Sequence, residues 1–198
     1  MYNGFILYGG KFVNFVIKNI KKVGIFNSIL LALSIILMIV YFFNIEYTLV
    51  YFIYDILCFA SIISALIYAT KGYKKDAAKY YKAFFFLYAL YTLFSTVTAV
   101  YSTLTRDYEK VFTNEILLGF VAIDALVLAF GKDLGKKKSI GFACAMLILQ
   151  LISSFRVFIL YPDRITILIT YFVRIVIACI ACTFVVAKYA DKESRGAK

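Results

Sequence analysis

Histidine is missing from all 198 residues. Its absence removes the commonest general base, every His-containing metal site and the intramembrane metalloprotease motifs. Proline occurs once, at Pro162, and glycine is scarce inside the apolar stretches. Many transporters place their sites where Gly or Pro interrupts a helix, so mostly continuous helices are expected here. No Gly-rich phosphate loop precedes a helix, and Gly131-Lys132-Asp133-Leu134-Gly135-Lys136-Lys137 lacks the Walker spacing. The four cysteines, Cys58, Cys144, Cys179 and Cys182, all fall within apolar stretches. Cys179 and Cys182 have the spacing of a redox or metal motif, but no His or loop cysteine stands near to complete one. They read as small hydrophobes, with no structural disulfide, metal or cofactor expected.

What is present is apolar. Hydrophobic residues make up 64% of the chain and charged residues 17%, with a mean hydropathy of +0.88; soluble domains run at about 45–50% and about 25%. A 22.6 kDa soluble fold could not hide that much apolar surface. A transmembrane helix needs about 20 mainly apolar residues, and six such segments occur, over 23–43, 47–70, 80–103, 112–131, 139–161 and 164–188. Membrane β-strands would be shorter and would alternate. The expected fold is therefore all-α: a polytopic integral membrane protein with a six-transmembrane-helix bundle over 23–188. A basic amphipathic segment over 1–22 precedes it and a charged tail over 189–198 follows it. Nothing at the start reads as a cleaved signal.

Basic residues set the expected orientation, because short cytoplasmic loops are enriched in Lys and Arg. Seventeen of the twenty-two lie on one side: before the first segment, after the last, in the second and fourth gaps, or, for Lys82 and Lys188, at the segment ends beside them. Arg106, Lys110 and Arg164 lie on the opposite side, while Arg156 and Arg174 lie within segments. Both termini are expected in the cytoplasm, with the protein in the plasma membrane and its Lys-rich face against anionic cytoplasmic-leaflet lipids. That placement accounts for the net charge of +11 without nucleic acid. In the N-terminal segment, Lys11, Asn14, Lys18 and Lys21 or Lys22 recur at intervals of three and four. That pattern fits either a helix lying in the interface or an extension of the first spanning helix. A faint echo at the ends of the second, fourth and sixth segments, about every 60 residues, suggests three helical hairpins.

Charges inside spans are expensive and usually face the bundle interior. Asp55, Arg156 and Arg174 sit in the expected outer half, and Glu115 opens the fourth segment near the same face. They form a candidate substrate-binding cluster. The competing roles are an ion-pair network that only fixes packing and, for Arg156, snorkelling to headgroups. Asp124 lies deeper and marks a candidate inner polar site. On the third segment Tyr88, Thr92, Ser95, Ala99 and Ser102 share one face, flanked by Tyr91 and Thr98. Such a stripe serves close helix packing or a polar pathway, and Tyr88, Thr92 and Ser95 join the candidate site. Gly24, Ser28 and Ala32, and Ser61, Ala65 and Ala69, form two small-residue faces that pack inside the molecule or against a partner.

No catalytic residue stands out, since nothing brings Asp55 and Asp124 together. The expected function is a small permease or solute-binding transporter subunit for a small polar solute. The alternative is a noncatalytic scaffold or accessory subunit that docks a membrane-protein partner or forms a homo-oligomer. An intramembrane enzyme on a lipid-linked substrate has the least support. In architecture the layout resembles the substrate-binding subunits of bacterial vitamin transporters, whose many glycine and proline breaks are missing here; likeness at this level implies no function.

Overall fold

The computed structural model describes residues 15–16, 18–43, 49–73, 77–106, 109–131, 134–160 and 162–196. The described part is helical, in the order α1 (Ile20–Phe42), α2 (Leu49–Thr70), α3 (Ala78–Arg106), α4 (Glu109–Phe130), α5 (Lys136–Leu160) and α6 (Ile165–Gly196), with no strand among the described residues. Most of the expected amphipathic segment, residues 1–14 and 17, lies outside the described residues.

Consecutive helices pack on one another, and α6 returns to pack on α1. The bundle is thus a closed ring. Because α2 packs on α3 and α4 on α5 as well, the three expected hairpins do not stand as separate units. Short links between packed neighbours make those neighbours antiparallel, which gathers the Lys-rich gaps at one end of the bundle and the Lys-poor gaps at the other.

The molecule is apolar outside and partly polar within. Ile29, Leu33, Ile36, Phe120, Ile123, Ile152 and Phe155 are exposed, whereas Asn27, Asp55, Ser61, Thr92, Gln150 and Arg174 are buried. In water that surface would be an aggregation hazard; in lipid it is ordinary. Among the described residues, α1, α5, Phe52–Thr70 of α2 and Ile167–Tyr189 of α6 are long and apolar enough to cross a membrane, and Ile116–Phe130 of α4 is a shorter apolar stretch. The protein is an all-α membrane bundle.

At 29 residues α3 is long enough to span, but it carries many Tyr, Thr and Ser. The physical reason is its position. Tyr81, Tyr88, Tyr91, Thr92 and Ser95 are buried, and α3 reaches α2, α5 and α6 through them and Phe84, so neighbours rather than lipid surround its polar face.

Helix rotation follows the polar residues. On α1 the buried positions are Gly24, Asn27, Leu31, Ser34, Met38 and Tyr41, a three-four repeat of the kind that packs helices at about 20°. The expected Gly24–Ser28–Ala32 face is therefore only partly right. Ala32 is exposed, Ser28 is half-buried and donates to the Gly24 carbonyl at 2.9 Å, because burying Asn27 and Ser34 turns α1 about one residue away from that stripe. Gly24 is packed closely, since a Cβ there would lie 3.2 Å from the Ala69 carbonyl oxygen of α2. Ser61, Ala65 and Ala69 are all buried, so the α2 face is used inside the molecule.

Helix ends are set by backbone chemistry. Gly72 and Tyr73 take φ of 63° and 59° and turn the chain out of α2. A left-handed tyrosine costs about 1–2 kcal/mol, offset by burial of its ring between Tyr68 and Phe184, with centroids at 5.1 and 5.6 Å. Gly131 closes α4, and a Cβ there would sit 2.5 Å from the Val127 carbonyl oxygen. Pro162 follows shortly after the end of α5 at Leu160. The apolar span of the sixth helix, Ile167–Tyr189, ends where expected, but the helix itself goes on. It runs through most of the charged tail to Gly196, with Tyr189 buried and its hydroxyl donating to the Leu134 carbonyl at 2.6 Å.

Candidate functional site

Arg174 lies nine residues into α6, about 14 Å from its start at 1.5 Å per residue, and is 2% exposed. A guanidinium at that depth requires acceptors, which come from two other helices. Both hydrogens on Nη2 are used: one goes to Tyr54 Oη at 2.6 Å on α2, the other to Ser95 Oγ at 2.8 Å on α3. Nε donates to Tyr91 Oη at 3.2 Å, and the hydroxyls of Tyr54 and Tyr91 share a 2.6 Å hydrogen bond.

Three rings surround the same cation. Its central carbon lies 4.6 Å from the Tyr171 centroid, 5.2 Å from that of Tyr91 and 5.5 Å from that of Tyr54, all within the about 6 Å over which a cation is drawn to a ring. Tyr171 stands three residues before Arg174, so one face of α6 carries both. Asp55, next to Tyr54, is 3% exposed. One turn along α2, Cys58 is buried within electrostatic reach of both Asp55 and Arg174.

A second polar group sits beside the first. Tyr88 donates to Gln150 Oε1 at 3.3 Å on α5, and Gln150 Nε2 donates to Ser154 Oγ at 3.2 Å. Tyr88 and Tyr91 rings lie 6.3 Å apart, so the two groups are continuous through α3.

Of the expected site residues, Asp55, Arg174 and Ser95 come together and Tyr88 adjoins them. Thr92 is buried with them, but its hydroxyl donates to the Tyr88 and Ala89 carbonyls of its own helix. Arg156 lies half-buried one turn from the end of α5, and Asp124 half-buried within α4; neither belongs to the hydrogen-bonded set around Arg174. The Glu115 side chain lies outside the described residues, as do those of Ala99 and Ser102. Tyr54, Tyr171 and Gln150 were not foreseen. A signal existed for each: Tyr54 adjoins the intramembrane Asp55, Tyr171 lies one turn before Arg174, and Gln150 is an amide within an apolar run.

In chemistry the guanidinium of this grouping matches a carboxylate or phosphate, while the tyrosine faces are already taken by the Arg174 cation itself. The described residues offer no nucleophile paired with a base in it, and no cluster of three or more His, Cys, Asp or Glu that could hold a metal. Cys182 is half-buried and donates to the Ala143 carbonyl at 3.3 Å, and Cys179 is exposed on the outer face of α6. No protein-family model matches the chain, and no curated protein or solved structure matches it. The architectural likeness to vitamin-transporter subunits therefore carries no residue role into this chain.

Proposed function

We propose that the chain is a small permease or solute-binding transporter subunit of the plasma membrane, with Arg174 as the anchor for a small anionic or zwitterionic solute. One observation carries this reading: a cation buried near mid-bundle, ringed by Tyr54, Tyr91, Ser95 and Tyr171 from three helices. Apolar packing would hold the same helices at no desolvation cost, so a charge kept there has a use beyond fastening. The grouping is closed, and a solute would enter by replacing the tyrosine and serine hydroxyls as helices rock apart. The buried Asp55, next to Tyr54 in the chain, would receive an ammonium group of a zwitterion. The Lys-rich end faces the cytoplasm, with both termini there, by the distribution of basic residues; protease protection of tagged termini tests this.

The test of the site is ligand-induced thermal stabilisation of the purified protein across a panel of small carboxylates, phosphates and amino acids. Tyr54→Phe and Arg174→Met should lose the stabilisation that the native protein shows, while still inserting in the membrane. Unchanged stabilisation in both variants would refute the site.

The scaffold reading keeps one specific observation in its favour. The three hydroxyls around Arg174 close the network on itself, as a packing device would. Its discriminator is native purification, in which a scaffold brings down a stoichiometric membrane partner.

A further inference from the structure

At the Lys-poor end, a groove of about 500 Å³ opens on the outer surface of the bundle between α1 and α6. Leu37, Phe158, Pro162, Ile165, Leu168, Ile169 and Phe172 line it. Ile165 and Phe172 are 66% and 51% exposed, so the groove lies open to whatever surrounds the helices. In a bilayer that is acyl chain. Moving a chain from lipid into such a groove brings no hydrophobic gain, because the lipid is equally apolar; any preference must come from the groove mouth.

Asp163 and Arg164 stand in the chain between Pro162 and Ile165, which both line the groove, so two charged residues lie at its rim. Arg164 caps α6, its carbonyl accepting from the Leu168 amide at 3.1 Å. Arg164, Leu168 and Phe172 recur every four residues and so lie on one face. One stripe therefore leads from the residue that caps the helix to the apolar floor. Asp163 precedes Arg164, and both are exposed. A cation and a carboxylate side by side at a hydrocarbon groove complement a headgroup that carries both signs.

We infer that this groove is a phospholipid site that takes one acyl chain of phosphatidylethanolamine. The phosphate sits on Arg164 and the headgroup ammonium on Asp163. A primary ammonium donates hydrogen bonds to the carboxylate, which a quaternary choline cannot do. This site is independent of Arg174 and of the solute reading.

The chain contains no tryptophan, so one introduced indole reports on one place. Full-length Phe172→Trp is reconstituted in phosphatidylcholine vesicles holding a minor fraction of phospholipid with brominated chains, which quench indole on contact. Brominated phosphatidylethanolamine should occupy the groove about fivefold more than brominated phosphatidylcholine, a preference within reach of one charged hydrogen bond. Phe155→Trp, on the open surface of α5, should show no preference. Asp163→Asn should remove the ethanolamine preference, and Arg164→Gln should reduce quenching by both phospholipids. Leu168→Trp serves as a second reporter if Phe172→Trp does not fold.

Equal quenching by the two lipids at both groove reporters would overturn the inference. So would a preference that survives both Asp163→Asn and Arg164→Gln, or a dimer whose formation shields the groove indole from brominated lipid.

Discussion

The Lys-rich end and the middle of the bundle solve the same problem, polar groups in an apolar surround, in different ways. At the Lys-rich end the hydrogen-bonded joints are between neutral groups and tie chain segments together, with the half-buried Lys188 ammonium over the Tyr81 and Tyr189 rings at 4.5 and 5.7 Å. Asn27 on α1 donates to Tyr73 Oη at 3.0 Å in the turn after α2 and to Thr183 Oγ1 at 2.7 Å on α6. Tyr189 on α6 reaches Leu134, and Ser139 on α5 bonds its hydroxyl at 2.7 Å. Around them Tyr68, Tyr81, Phe84, Phe85 and Phe184 meet edge-on or tilted, with centroids 4.7 to 5.8 Å apart. Near mid-bundle the same residue type, tyrosine, holds a charge that is buried, Arg174 at 2% exposure, through its hydroxyls as well as its rings. The first arrangement fastens ends that would otherwise fray. The second places a guanidinium where hydroxyls from two other helices converge on it.

The largest effect should come from the charge. Arg174→Ala leaves the Tyr54, Tyr91 and Ser95 hydroxyls without their donor beside buried Asp55, and should lower stability by about 3 kcal/mol or more. Equilibrium unfolding in detergent micelles measures it. Arg174→Met combined with Asp55→Asn sharpens the comparison. Replacing buried charges by neutral groups of similar volume is often harmless to stability, so the double variant should regain most of that loss while solute-induced stabilisation stays absent. Recovery of both would make the middle of the bundle a fastening like the end. Next comes Tyr54→Phe, which removes the 2.6 Å acceptor of Nη2 while keeping the ring; a hydrogen bond to a charged group is worth about 1.5–3 kcal/mol.

Much of this was legible in the residues, unevenly. Composition and run length were sufficient for helix number and class, since each apolar run became one helix within a few residues. Ends were less legible. The tail beyond Lys188 is charged, yet α6 continues through it because Tyr189 finds Ser139 and Leu134, partners distant in sequence. The charges Asp55 and Arg174 announced a site by their cost in lipid, but which hydroxyls would meet them depended on helix rotation and crossing, which no single span encodes. The α1 stripe shows the same limit. Gly24–Ser28–Ala32 and Gly24–Asn27–Leu31 differ by about one residue of rotation, and only the fit of Asn27 to Tyr73 and Thr183 chooses between them.

At the Lys-rich end the effects should be smaller. Asn27→Leu removes two hydrogen bonds from one amide, and intramembrane hydrogen bonds average about 0.6 kcal/mol each, so a loss of about 1 kcal/mol is expected in the same unfolding measurement. A loss as large as that of Arg174→Ala would erase the distinction between the two regions.

The smallest effect is expected at Thr92, which is fully buried within 0% exposure beside the Arg174 network. Its hydroxyl is spent on the Tyr88 and Ala89 carbonyls, at 3.0 and 3.1 Å, which already accept within the helix. Side chains that bond back to their own helix add little to its stability. Thr92→Val keeps the branched shape and should shift stability by less than about 0.5 kcal/mol, with solute-induced stabilisation unchanged. A large loss of that stabilisation would mean that the Thr92 hydroxyl leaves its helix to meet the solute, and the polar stripe of α3 would then belong to the binding site rather than to its wall.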